Sequence, residues 1–126
     1  MSKITAVSPA ELEILEFLWA QGTDVPAKEI MEYFNGSGGK EWKKQTLNTF
    51  LSNLYKKGMI RRISVERRYH YEPQITKAEY EAYISEQFVL RTHGGSFISF
   101  VSSLAGSSII SKEEAEAIKK ILKKDA

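Results

Sequence analysis

The segment that most constrains this chain is Trp42–Pro73, WKKQTLNTFLSNLYKKGMIRRISVERRYHYEP. Leu47, Phe50, Leu51 and Leu54 recur at i, i+3, i+4 and i+7, which places them on one stripe of a helix over residues 43–57. Lys56 and Lys57 suit the negative end of that helix, and Gly58 suits the left-handed residue that stops it. Two alternating segments follow, Ile60–Val65 and Arg68–Tyr71, with Glu66-Arg67 at the turn and Pro73 closing the second. A short amphipathic helix leading directly into a tight hairpin fits few architectures. It reads as a helix beside a β-wing.

The flanking sequence supplies more helices. Ser8 as N-cap, Pro9 at the first position and Glu11 three residues on predict a helix over 9–21, with Leu12, Leu15, Leu18 and Trp19 inward and Gly22 as its stop. Ala27, Ile30, Met31 and Phe34 share one face of a second helix over 26–34. Residues 35–39, NGSGG, break the pattern. After the hairpin, Thr76 and Glu79 form a second capping box that opens a fourth helix carrying Tyr80, Tyr83, Ile84 and Phe88 on one face. A fifth helix is expected over 96–105, between Gly94-Gly95 and Gly106. Ser111 and Glu114 cap a sixth, with Ala115, Ile118, Ile121 and Leu122 inward. The expectation is a mostly α protein with a small β-hairpin wing: a winged helix-turn-helix over 1–75 and a three-helix arm over 76–126. Three helices in roughly 50 residues bury apolar groups poorly alone. Tyr80, Tyr83, Ile84, Phe88, Phe97, Phe100, Val101, Leu104, Ile118 and Leu122 are therefore read as a dimerisation surface for a second copy.

Composition narrows the function. There is no cysteine, so disulfides and thiolate metal sites are excluded. His70 and His93 are the only histidines and have no partners at ligand spacing, so no metal and no cofactor is expected. No apolar run approaches the ~20 residues of a membrane span and the N-terminal stretch lacks a signal-peptide core, so a cytoplasmic location without membrane insertion is expected. No nucleophile elbow, phosphate loop or HExxH pattern occurs, and Glu11, Glu13 and Glu16 read as capping and solvent-face charges, so no enzyme is expected.

The net charge of +2 hides a strong asymmetry: −4 over residues 1–39, +7 over 40–68 and −1 over 69–126. A cationic block confined to one helix and one hairpin is the footprint of a polyanion. Double-stranded DNA fits best. Thr46 and Thr49 offer hydroxyls and methyls to base edges, Asn48 and Asn53 suit adenine, and Lys43 and Lys44 lie where a recognition helix nears the backbone. Arg67 and Arg68 at the wing tip reach a phosphate or the minor groove. Arg61 and Arg62, adjacent on a strand, point to opposite faces. Trp19, Trp42, Tyr69 and Tyr71 read as packing residues.

These motifs, in order, resemble the penicillinase-repressor family of the BlaI/MecI/CopY type. The resemblance rests on SPAELEILEFLW in the first helix and on W-x-x-x-T-x-x-T-x-L-x-x-L-Y-K-K-G from Trp42 to Gly58. It continues through R-x-Y-x-Y-x-P from Arg67 to Pro73, ITKAEY, GGS and the final S-x-E-E helix. It implies a homodimeric transcriptional repressor on a palindromic operator, with Lys43, Thr46, Thr49 and Arg67 on DNA and the last three helices as the dimerisation arm. It further implies release by cleavage of an Asn-Phe bond in that arm, triggered by a membrane sensor metalloprotease. The corresponding place here reads Ser99-Phe100, which leaves the inducing signal open. The cysteine-dependent copper response of a related branch is excluded. Two other readings remain at this stage: a winged-helix protein-interaction module, against which the +7 block argues, and a ligand-sensing regulator whose tail helices line a pocket.

Overall fold

The computed structural model describes residues 4–105 and 107–124. Gly106, expected to flank the fifth helix, lies outside the described residues. The chain divides into two compact units, Met1–Ile84 and Ser85–Ala126.

In the first unit, helix α1 (Pro9–Gln21) opens on the expected capping box. The Ser8 Oγ accepts from the Glu11 amide at 3.3 Å and Glu11 Oε1 accepts from the Ser8 amide at 2.9 Å. Gly22, at φ 71°, ends the helix. The buried stripe is Glu11, Ile14, Leu15 and Leu18 rather than the expected Leu12, Leu15, Leu18 and Trp19, because a glutamate occupies its first position and disguises the period. A two-residue strand β1 (Val25–Pro26), too short to show any alternation, leads into α2 (Ala27–Asn35), where Ile30 and Phe34 are buried. Asn35 then bridges the glycine-rich break by bonding both backbone groups of Trp42 at 2.8 Å. The Trp42 ring stacks on Phe34 at 4.7 Å and meets Phe50 at 5.2 Å.

Helix α3 (Lys44–Lys56) buries Leu47, Leu51 and Leu54. It ends as predicted: Gly58 at φ 76° allows its own amide to reach the Tyr55 carbonyl and the Met59 amide to reach Leu54, both at 3.0 Å. Strands β2 (Ile60–Val65) and β3 (Arg68–Pro73) pair antiparallel, and β1 adds to the far side of β3, giving the order β1-β3-β2. Pro26 sits on the edge strand, where a missing amide donor costs nothing. The hairpin loop is two residues, Glu66 and Arg67, both at positive φ (49° and 68°). That geometry matches the right-handed twist of the strands but is normally filled by Asn-Gly.

One core joins all these elements, with Ile14, Leu15, Leu18, Ile30, Leu47, Leu51, Leu54, Met59 and Ile60 essentially inaccessible. Three helices closed by a small sheet whose hairpin projects beyond it make a winged helix. The first turns of α4 (Lys77–His93) belong to this unit. Trp19 Nε1 donates to the Ile75 carbonyl at 2.9 Å, and Tyr80, buried, packs on the Trp19 ring. Tyr80, expected on the dimerisation surface, therefore serves the core of the first unit. The predicted capping box is present: Glu79 accepts from the Thr76 amide at 2.8 Å, and Thr76 Oγ1 accepts from the Glu79 amide at 3.0 Å. Hydrogen bonding from the Thr76 amide, and then from the Thr76 hydroxyl, holds the Glu79 carboxyl below its usual range.

The second unit holds the rest of α4, α5 (Phe97–Ser103) and α6 (Lys112–Lys124). Ser96 caps α5 and Ser111 caps α6, each through its hydroxyl. Phe88, His93, Phe97 and Phe100 form a ring cluster with centroid separations of 5.5–6.1 Å. No described residue of this unit is buried. Ile118, Ile121 and Leu122, expected to face inward, are exposed, because the single chain offers no surface to cover them.

Candidate nucleic-acid interface

The outward side of α3 forms a polar trough lined by Gln45, Asn48, Thr49, Ser52, Asn53 and Lys56. The helix stripe dictates this: with Leu47, Leu51 and Leu54 turned into the core, these positions fall on the opposite face. Asn48, Thr49 and Asn53 were expected here; Gln45, Ser52 and Lys56 are additional. Thr46 is half-buried and does not line the trough. The Thr49 hydroxyl donates to the Gln45 carbonyl at 3.0 Å, so its methyl and the acceptor side of its oxygen are what is left to face a ligand. Lys43 is the N-cap of α3 and offers no capping side chain, so the positive end of the helix and both lysines, Lys43 and Lys44, face solvent together.

Beside the trough runs a cleft between the starts of α2 and α3 and strand β3. Its floor is Met31, Leu47 and Tyr71; Lys28, Lys44, Asn48, Arg68 and Tyr69 also line it. Tyr71 is buried, and that burial raises its phenol above the usual pKa. Tyr69, expected as a packing residue, is instead half exposed on this rim. Lys28 carried no sequence signal, since it lies outside the cationic block.

Tertiary structure sorts that block. Lys40 pairs with Glu13 at 3.0 Å and Lys57 with Glu11 at 2.7 Å. Arg61 pairs with Glu72 across the sheet, and Arg62 lies over the rings of Tyr55 and Tyr69. Among the described residues, Lys43, Lys44, Lys56, Arg67 and Arg68 of that block remain with neither an ion pair nor an aromatic partner, and all five are exposed. They border the trough, the cleft and the tip of the hairpin.

Glu11, read from the sequence as a capping charge, is also a buried one. Burial pushes its carboxyl up, but the Lys57 hydrogen bond, the Ser8 amide and the Lys57 charge outweigh it and hold the group below its usual range. His70 Nδ1 lies 2.7 Å from Asp24 Oδ2, which ties β3 to the loop before β1. No group of three or more metal-ligating side chains occurs among the described residues, and no described helix is long and apolar enough to cross a membrane.

Comparison with known proteins agrees in extent. The family described as penicillinase repressor matches residues 7–124. The methicillin resistance regulatory protein MecI of Staphylococcus aureus is 27% identical over 123 residues, covering 98% of each chain. The penicillinase repressor of Bacillus licheniformis is 28% identical over 122 residues, 97% of this chain and 93% of that one. The solution structure of the monomeric form of B. licheniformis BlaI with the blaP half-operator shares 30% identity and a TM-score of 0.51, covering 64% of this chain and 94% of that one. RosR of H. salinarum, 16% identical with a TM-score of 0.52 over 98% of this chain and 96% of that one, shares the fold. The family is one of transcriptional repressors rather than enzymes, and the chain described here belongs to it: it is a member of the penicillinase repressor family.

Proposed function

We propose that this protein is a DNA-binding transcriptional repressor that acts as a homodimer on a palindromic operator. Helix α3 would read the major groove and the hairpin would hold the flanking backbone. The observation that carries this reading is the gathering of five unpaired cations, Lys43, Lys44, Lys56, Arg67 and Arg68, around the polar trough of α3. BlaI, similar over 64% of this chain, was solved on a half-operator, which supports the DNA partner. Asn48, Thr49 and Asn53 are the base-reading residues of the proposal, and Thr46 supports the helix from its flank.

Residues 1–75 would form the DNA-binding domain and 76–126 the dimerisation arm. Exposed Ile84, Phe88, Phe97, Val101, Ile118 and Leu122, with half-exposed Tyr83, Phe100 and Leu104, are the apolar groups that a second copy would cover. Cleavage at Ser99-Phe100, triggered by a membrane sensor metalloprotease, is the release route the family resemblance supports. Ser99 is exposed on a helix of only seven residues, so local opening there is cheap.

Salt-dependent binding tests the reading. Ten phosphates neutralised by a dimer give a slope of about −9 in log affinity against log salt. A slope near −2 would refute the footprint.

A further inference from the structure

We propose that Arg62 is a positioning residue that sets the angle of the wing against the recognition helix, through a stacked arrangement of Tyr55, Arg62 and Tyr69. The inference rests on the DNA-reading role of α3 and the hairpin and goes beyond it by naming what holds the two in register.

The geometry is specific. The Arg62 guanidinium carbon lies 3.8 Å from the centroid of Tyr55, in the last turn of α3, and 4.5 Å from that of Tyr69, on β3. Arg62 pairs across the sheet with Tyr71 and Ser64 with Tyr69, so Arg62 and Tyr69 are diagonal neighbours on the sheet face that carries buried Ile60 and Tyr71. One side chain thus contacts a helix and the opposite strand. Tyr55 and Tyr69 are 42% and 49% exposed, so this is no part of the core.

Its position in the hairpin gives it leverage. At the base, Met59, Ile60 and Tyr71 are buried against the helices; past Arg62, Ser64, Val65, Arg67, Arg68 and Tyr69 are all exposed. A two-stranded ribbon is marginal alone. Arg67 lies four residues along the chain from Tyr71, the cross-strand partner of Arg62, a lever of roughly 13 Å at about 3.3 Å per residue. A tilt of about 10° would carry the tip roughly 2 Å, most of a hydrogen-bond length. The stack also needs arginine: a planar, weakly hydrated guanidinium lies flat between rings, whereas a lysine ammonium keeps its water.

The test uses the full chain and a duplex that the wild-type protein selects from a random-sequence pool. Arg62→Lys keeps the charge and loses the stack, and should weaken binding roughly three- to tenfold. Tyr55→Leu should lose a similar factor and Tyr55→Phe recover most of it. In a chain carrying Arg67→Ala and Arg68→Ala, Arg62→Met should cost less than about twofold and leave the salt slope unchanged, because the wing has nothing left to position. Arg62→Lys binding as tightly as wild type would overturn the proposal. So would a further fall in slope of about 1.8 per dimer in the wing-neutral background, which would make Arg62 a direct phosphate contact. A shallow slope in the wild type would instead refute the footprint itself, so the two failures are distinguishable.

Discussion

Replacing Lys57 by methionine tests how helix α3 is held from behind. Glu11 is 3% exposed and its Oε1 takes two donors, Lys57 Nζ at 2.7 Å and the Ser8 amide at 2.9 Å. Lys57→Met leaves a buried carboxylate with the amide bond alone. A hydrogen bond to a charged group contributes about 1.5–3 kcal/mol, and Lys57, being one-third exposed, belongs at the lower end after solvent screening. The expected loss is about 1–2 kcal/mol in urea unfolding at pH 7, and a cycle through Glu11→Gln should assign most of it to the pair. The pH dependence has a fixed sign. The folded carboxyl titrates below its ordinary value of 4.5, so the contribution is present above that value and is lost as the pH falls through the folded pKa. The gap between wild type and Lys57→Met should therefore close on acidification. A gap unchanged down to about pH 3, or a coupling under about 0.5 kcal/mol, would refute the argument.

Three further outcomes follow from the same structure. Glu66→Asn places a residue that tolerates positive φ at the first loop position and should stabilise the protein by roughly 0.5–1 kcal/mol in urea melts; no gain would mean the turn is unstrained. Thr49→Val should keep operator affinity within about twofold, because the hydroxyl proton is already engaged by the Gln45 carbonyl and the methyl is retained, whereas a loss above about tenfold would show the hydroxyl oxygen accepting from a base. Phe100→Asp should break the ring cluster and give monomers by sedimentation, lowering affinity for a full operator about a hundredfold while sparing a half-site; a variant that stays dimeric would remove Phe100 from the interface.

The winged helix was legible because its boundaries are written in short-range chemistry. Ser8 with Glu11, Gly22, Gly58 and Thr76 with Glu79 each mark an end through bonds reaching only a few residues. What escaped the sequence depends on long-range partners. Strand β1 exists because Val25 and Pro26 meet Tyr71 and His70 across 46 and 44 positions, and two residues hold no alternation to detect. Glu11 looks like a capping charge until Lys57 arrives from 46 residues away to make its burial tolerable. The +7 block was visible, but its division was not. Adjacent Arg61 and Arg62 face opposite ways as strand geometry demands, yet only the folded chain shows one on Glu72 and the other on two tyrosines.

That division bears on how such a repressor would be controlled. The first unit closes its own core, and the cations proposed to face DNA are those left without an ion pair or aromatic partner there. The second unit buries none of its described residues, so on the proposed reading its order depends on a second copy. Affinity for a full site then scales with the square of the half-site affinity and with the effective concentration that the arm creates. For heads that bind a half-site at roughly 10 μM, an effective concentration of about 1 mM gives a dimer near 0.1 μM. Loosening α5 would forfeit that hundredfold without altering a single residue at the DNA face. Regulation placed in the arm can therefore change its trigger, as Ser99-Phe100 in place of an Asn-Phe bond suggests, while the reading head is left alone.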